Sequence, residues 1–253
     1  MAQPVMRMLE ISVTTAVRTV GPRITYHGLE NIPDAGGAVI AVNHTSYIDW
    51  MPASIAAYRR KRRLRFMIKQ EMLDVKPVGF LMRHSGMIPV DRSAGAGAYA
   101  AAVQRLREGE IVGVYPEATI SRSFELKEFK TGAARMAREA GVPIIPLIVW
   151  GAHRMWTKDH PRRLLRNRVP ITLMVGAPLR ATDSIEQTDA ALREAMTELL
   201  QRAQVGYPRP AGAYWVPRRL GGSAPTLPEA KLLDEAELAE RARKQTERSE
   251  REA

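Results

Sequence analysis

Ala38-Val39-Ile40-Ala41-Val42-Asn43-His44-Thr45-Ser46-Tyr47-Ile48-Asp49-Trp50 runs from five apolar residues into a short polar turn and then into a helical pattern. An uninterrupted apolar run this short reads as a strand buried on both faces, which is the signature of a parallel sheet covered by helices. The same alternation repeats outward along the chain. Short apolar strands are expected at 23–26, 64–68, 87–90, 111–115, 144–150 and 171–175, with helical patterns at 47–60, 76–84, 97–108, 130–140 and 184–204. The expected fold is α/β: a mostly parallel or mixed sheet of about seven strands flanked by helices. The 253 residues are enough for a full-sized core of this kind. Ahead of it, apolar positions at helical spacing from Val5 to Val20 predict an amphipathic helix, ended by Gly21-Pro22.

Four segments follow from composition. Residues 1–21 read as an amphipathic membrane-contact helix and 22–205 as the α/β domain. Residues 206–228 contain five prolines and four glycines and read as a linker or surface wrap. Residues 229–253 form a charged helix or tail with eight acids and six bases. The chain carries a net charge of +11, so its first 228 residues carry +13. That balance points to an anionic partner: a membrane surface, a nucleic acid or a phosphorylated substrate. The absence of cysteine excludes a thiol nucleophile, Cys-ligated zinc, iron–sulfur clusters and disulfides. The longest apolar stretch, 142–152, has 11 residues and two prolines. It is too short to span a bilayer, which takes roughly 18 or more. The start of the chain, with Arg7 and Arg18, lacks the apolar core of a signal peptide.

His44 lies where a buried strand ends, the edge at which open α/β sheets build their sites. Asp49, five residues on, is placed to fold back on the imidazole, fixing its tautomer and raising the basicity of the other ring nitrogen. Such a histidine serves as a general base. No Gly-x-Ser-x-Gly turn and no cysteine occur, so the hydroxyl or thiol to be activated is expected to come from the substrate. The same string also describes a histidine at a helix start with an aspartate in its first turn. The remaining histidines, His27, His84, His153 and His160, have no paired motif and read as surface or core residues. Gly95-Ala96-Gly97-Ala98-Tyr99-Ala100 imitates a dinucleotide fingerprint, but the residues between it and the preceding strand leave no tight turn. Six bases in the eight residues Tyr58–Arg65 read as a surface for anionic headgroups or as a solvated loop. No zinc-finger, RNA-recognition or helix-turn-helix signature accompanies them, so no nucleic acid partner is expected.

Three further blocks follow the first in order: Gly86-Met87-Ile88-Pro89-Val90-Asp91-Arg92, then Tyr115-Pro116-Glu117-Ala118-Thr119, then Val142-Pro143-Ile144-Ile145-Pro146. With Asn43-His44-x4-Asp49 they resemble the glycerolipid acyltransferases, and in particular the 1-acylglycerol-3-phosphate acyltransferases, over roughly residues 20–180. The resemblance implies transfer of an acyl group from a thioester to a lysophospholipid hydroxyl, with His44 as base and Asp49 as its orienter. It places Arg92 on the acceptor phosphate and Glu117 and Thr119 in the acceptor site, and gives Pro143 and Pro146 structural or acyl-site roles. Lys69 and Lys130, in the intermotif segments Lys69-Gln70-Glu71-Met72 and Phe129-Lys130-Thr131-Gly132, join them on the substrate side. Two positions depart from the family pattern: Ala118 stands where glycine is usual and Ile120 where arginine is frequent, and Arg122 is the candidate to replace that arginine. No metal and no bound cofactor are implied; acyl-CoA or an acylated carrier protein is a co-substrate. The implied setting is peripheral, at an anionic membrane on its cytoplasmic face. The rival readings are acylation of another lysophospholipid or a glycolipid, or a basic membrane- or nucleic-acid-binding protein without catalysis.

Overall fold

A computed structural model describes residues 8, 11–12, 14–15, 17, 21–69, 87–90, 95–164 and 168–252, without the side chains of 68–69, 89–90, 95–96 and 248–252. The helix expected at 76–84 lies outside the described residues, and so do Asp91 and Arg92. Of the N-terminal segment, Met8, Ile11, Ser12, Thr14, Thr15 and Val17 are helical. Among the described residues, no helix is long and apolar enough to cross a membrane.

The chain divides into two compact units. The first comprises residues 1–120 and 128–207 and contains a seven-stranded sheet. Its strands are β1 (Arg23–His27), β2 (Ala38–Val42), β3 (Leu64–Lys69), β4 (Ile88–Val90), β5 (Ile111–Val114), β6 (Ile144–Trp150) and β7 (Pro170–Val175). The helices are α1 (Trp50–Arg59), α2 (Gly95–Arg107), α3 (Gly132–Ala140) and α4 (Ile185–Gln204). Strand order is β1-β7-β6-β2-β5-β3-β4, and every pairing is parallel except β6 with β7. β3 is shared lengthwise: Leu64–Phe66 pair with β5, and Met67–Lys69 pair with β4. Gly95 and Gly97 both lie within α2.

Burial explains which strands are central. All residues of β2, β5 and β6 are buried, whereas the edge strand β1 alternates between exposed and half-buried. Ile40 and Val42 pack with Ile145, Leu147 and Val149 and with Ala53, Ala56 and Ala57 of α1 on one face; α3 and α4 cover the other part of β2, β6 and β7. Pro146, inside β6, lacks an N–H to give the ladder. The strand tolerates it because the pairing shifts there: Leu147 is opposite Val175 while Ile144 is opposite Leu179, one residue more on the β7 side. The Pro146 carbonyl still accepts from Gly176 N at 2.8 Å. Because β5, β2 and β6 are parallel neighbours, the chain leaves all three at the same edge, at Tyr115, Asn43 and Gly151.

The second unit comprises Ser121–Lys127 and Pro208–Ala253. The Pro/Gly-rich stretch, expected as a linker or wrap, is folded on itself. Gly212 N donates to Gly221 O at 2.9 Å, Ser223 N to Ala213 O at 3.1 Å and Ala224 N to Val216 O at 3.1 Å, while Trp215 and Val216 are buried. Helix α5 (Leu227–Glu252) begins two residues before the expected tail.

Candidate active site

Asn43 converts the end of β2 into a rigid platform. Its amide donates to Val149 O at 3.1 Å and accepts from Val149 N at 2.7 Å, so a side chain does the work of a peptide group and continues the β2–β6 ladder. The chain is then free to turn away with His44. The turn closes around Asp49, whose side chain is fully buried. Asp49 Oδ2 accepts from Thr45 N at 2.8 Å and Ser46 N at 2.7 Å and lies 3.3 Å from His44 Nδ1. An acceptor opposite Nδ1 selects the tautomer protonated there and leaves Nε2 with its lone pair. Asp49 Oδ1 has no hydrogen-bond partner among the described residues. Burial pushes the Asp49 carboxyl up from its ordinary range, opposed by His44 and by the Ser46 and Thr45 amides. A carboxylate so poorly solvated gains most when the imidazole beside it becomes positive.

The loop after β6 holds this turn from the other side. Ser46 Oγ donates to Trp156 O at 2.6 Å, Tyr47 N donates to the same oxygen at 3.2 Å, and Thr157 Oγ1 donates to Thr45 O at 2.8 Å. His153 is buried 3.4 Å from Thr45 Oγ1. Desolvation, helped by Arg154, lowers its pKa from 6.5 to about 3, so it is a neutral core histidine.

The loop after β5 supplies the third wall. The Tyr115 ring stacks on His44 with centroids 3.9 Å apart and planes 17° from parallel. Phe66 stacks behind Tyr115 at 5.3 Å. Gly113 makes room for that ring, since a Cβ there would stand 2.9 Å from Phe66 Cε1. Burial, then the neighbouring Asp49, drives the Tyr115 phenol well above its ordinary pKa, so it is a neutral slab against the imidazole. Glu117, also buried, accepts from His44 N at 2.7 Å. Thus Glu117 fixes the backbone of the histidine while Asp49 fixes its ring. Ala118, exposed at the tip, has φ 61°, and Thr119 N donates back to Glu117 O at 2.8 Å. This left-handed turn is the conformation for which glycine is the unstrained residue.

The structure therefore brings together His44, Asp49 and Glu117, with Thr119 two residues further on and exposed. Lys130 N donates to Pro116 O at 2.8 Å, closing the base of the same loop, and its side chain is exposed. Lys69 ends β3 paired with Val90, its side chain outside the described residues, as is Arg92. Arg122 belongs to the second unit, where its guanidinium pairs with Asp234 and Glu237. Ile120 is buried. Asn43, Phe66, Tyr115, Trp156 and Thr157 are supporting residues that sequence reasoning missed. Asn43 stood beside the motif histidine, and Tyr115 beside Pro116-Glu117; the others are distant in sequence and carry no local signal.

Several residues of the basic run, expected as a headgroup surface or a solvated loop, have partners within the fold. Arg62 N donates to Ala57 O and Lys61 N to Tyr58 O, both at 2.9 Å, so the run forms the C-terminal cap of α1, with Lys61 at φ 56°. Arg62 donates to the carbonyls of Pro33, Gly36 and Gly109, each at 2.7 Å. Arg65 forks onto Glu110 with two contacts of 3.2 Å. Arg59 lies 4.3 Å over the Tyr26 ring, and Arg60 pairs with Asp34.

A carboxylate-oriented histidine at the carboxyl edge of a mixed α/β sheet is the candidate site, and the chain belongs to the acyltransferase family, whose model matches residues 23–150. It is 27% identical over 180 residues to the 1-acyl-sn-glycerol-3-phosphate acyltransferase of Bacillus subtilis, covering 71% of this chain and 85% of that one. It is 27% identical over 155 residues to the enzyme so named from Borreliella burgdorferi, covering 60% of this chain and 61% of that one. The human 1-acyl-sn-glycerol-3-phosphate acyltransferase beta is 30% identical over 132 residues, covering 51% and 46%. The crystal structure of the 1-acyl-sn-glycerophosphate acyltransferase PlsC from Thermotoga maritima shares the fold, with a TM-score of 0.67 at 20% identity over 81% of each chain.

Proposed function

We propose that this acyltransferase moves a fatty acyl group from an acyl thioester to the free hydroxyl of 1-acylglycerol-3-phosphate, giving phosphatidate. His44 Nε2 takes the hydroxyl proton as that oxygen attacks the thioester carbonyl. The tetrahedral intermediate expels sulfur, and the imidazolium returns its proton to the thiolate, so the products are ester and thiol. Asp49 holds the ring and stabilises its positive form. Glu117 and Thr119 serve the acceptor side together with Lys69, Arg92 and Lys130. Arg92 suits a phosphate because a guanidinium stays charged and offers a planar fork. Acyl-CoA or an acylated carrier protein is the donor, and no further cofactor enters this scheme.

The contact of His44 Nδ1 with buried Asp49, at 3.3 Å, carries the reading; the names of the relatives support the acceptor. Thiol release measured over a panel of lysolipid acceptors and thioester donors tests it. Release is expected to depend on a lysolipid phosphate monoester and to be lost in His44→Ala. Release from another acceptor alone changes the substrate, and no release from any acceptor removes the reading.

The enzyme works as a peripheral protein on the cytoplasmic face of an anionic membrane. Support comes from the +13 charge of residues 1–228 and from the amphipathic pattern of residues 5–20. Co-sedimentation with anionic vesicles should weaken at high salt. Equal binding to neutral and anionic vesicles removes the electrostatic part.

A further inference from the structure

We infer that helix α5 clamps the loop carrying Glu117 and Thr119, and that Arg122 is the pin of this clamp, a positioning residue rather than a phosphate ligand. The inference takes the work of that loop from the acyl-transfer reading. Residues 117–129 leave and return at one point, because Lys130 N donates to Pro116 O at 2.8 Å. The loop starts with the segment bonded to His44, and its middle, Ser121–Lys127, belongs to the second unit with α5.

Within that unit the segment is gripped by charge. Arg122 Nη1 donates to Asp234, and Nη2 to Glu237 Oε2 at 2.9 Å. Lys127 Nζ lies 3.2 Å from Asp234 Oδ2, and Arg219 Nε donates to Glu125 Oε1 at 2.6 Å. Asp234 and Glu237 are three residues apart, hence on one face of α5. The Arg122 side chain is 7% exposed, and those of its acids 19% and 25%. A phosphate reaching this guanidinium would have to displace two carboxylates and leave them poorly solvated beside its own charge. The segment also bonds itself, through Ser121 Oγ to Glu125 O at 2.7 Å.

The backbone explains why a clamp is needed. Two residues of the loop that are not glycine hold left-handed conformations, Ala118 at φ 61° and Phe124 at φ 58°. Such conformations persist where the surroundings over-determine them. Because Ile120 and Ser121 are consecutive, fixing the 121–127 segment limits the conformations open to Glu117–Thr119.

The test compares Arg122→Gln, the double variant Asp234→Asn/Glu237→Gln and their triple combination. Readouts are acceptor and donor KM, with phosphate-bearing and phosphate-free lysolipids, and trypsin cleavage after Lys127 and Lys130 in the full chain. A mispositioned loop should raise acceptor KM by up to about 10²-fold, the order of loss that a misplacement of about 1 Å can cause. The rise should be similar for both kinds of acceptor, with little change in donor KM. The triple variant should be no worse than the double acid variant, which already breaks both Arg122 pairs together with the Lys127–Asp234 pair. Cleavage should quicken in all three. Arg122→Lys, which keeps the charge and loses the fork, should fall between wild type and Arg122→Gln, and it serves if a neutral variant does not fold. The inference is overturned if the double acid variant leaves acceptor KM unchanged while Arg122→Gln raises it for phosphate-bearing acceptors alone, since Arg122 then binds phosphate. Unchanged proteolysis in every variant overturns it as well. If the wild type acylates nothing, the acyl-transfer reading fails, and the proteolysis result still decides the clamp.

Discussion

The turn Asn43–Asp49 and the run Arg59–Arg65 flank the same helix, and both look like chemistry in the sequence. They differ in what their polar groups already bind. In the run, Arg62 is occupied by three backbone carbonyls and Arg65 by Glu110. In the turn, every contact serves to hold one half-buried imidazole, from Asp49 on its ring, Glu117 on its backbone and Tyr115 on its face. The difference teaches that charge density alone does not mark a working surface. The better candidate for a working residue is the one that others immobilise.

The largest effects should separate the two regions by function. His44→Ala and Asp49→Asn are expected to lower turnover by about 10²–10⁴, the usual worth of a positioned base. The thermal midpoint of Asp49→Asn should hold or rise, since burial of the charge opposes folding there. Near-normal thiol release by folded His44→Ala protein would erase the distinction. Arg62→Ala should do the reverse, lowering stability in denaturant by about 2 kcal/mol through lost charged hydrogen bonds. Its turnover per folded molecule should be unchanged.

Acid reaches the turn through a buried neighbour. Beneath the turn, His153 has a folded pKa of about 3, well below its ordinary 6.5. The unfolded chain therefore binds the extra proton first. The stability this histidine contributes is complete above pH 6.5 and is lost as pH falls toward 3. Denaturant midpoints at pH 7 and pH 5 should differ less in His153→Gln than in wild type. The smallest effects concern backbone strain, which both regions contain. Lys61→Gly and Ala118→Gly should each stabilise the protein by about 1 kcal/mol, by relieving a left-handed conformation that an L side chain resists. A loss of stability in either variant would mean that its side chain contributes more than its backbone costs.

Much of this was legible in the sequence. All seven strands were, and the central ones most clearly, because strands buried on both faces read as plain apolar runs; Ala38–Val42 and Ile144–Trp150 have the expected boundaries. The approach of Asp49 to His44 was legible because it is local, five residues across one turn. The antiparallel direction of β7 was not, since an apolar run carries no sign of direction. Nor was the bond from His44 N to the Glu117 carboxylate, between residues 73 apart. The partners of Arg62 and Arg122 were hidden for a related reason. Backbone carbonyls leave no mark in a sequence, and Asp234 and Glu237 lie in a helix that reads as a solvated tail.

The placement of β2 also has consequences for a chain still being made. Ala38–Val42 emerges early, yet its two neighbours begin only at Ile111 and Ile144. Until then it is an apolar strand with two open edges, the form most prone to pair with another chain. Synthesis at about 5–20 residues per second keeps it in that state for several seconds. The turn around His44 is not complete until Thr157 has been added, and β1 has no partner before Pro170. His44 is among the first groups translated and its surroundings are among the last assembled, so a nascent chain halted between residues 44 and 157 has the histidine but not the whole turn around it.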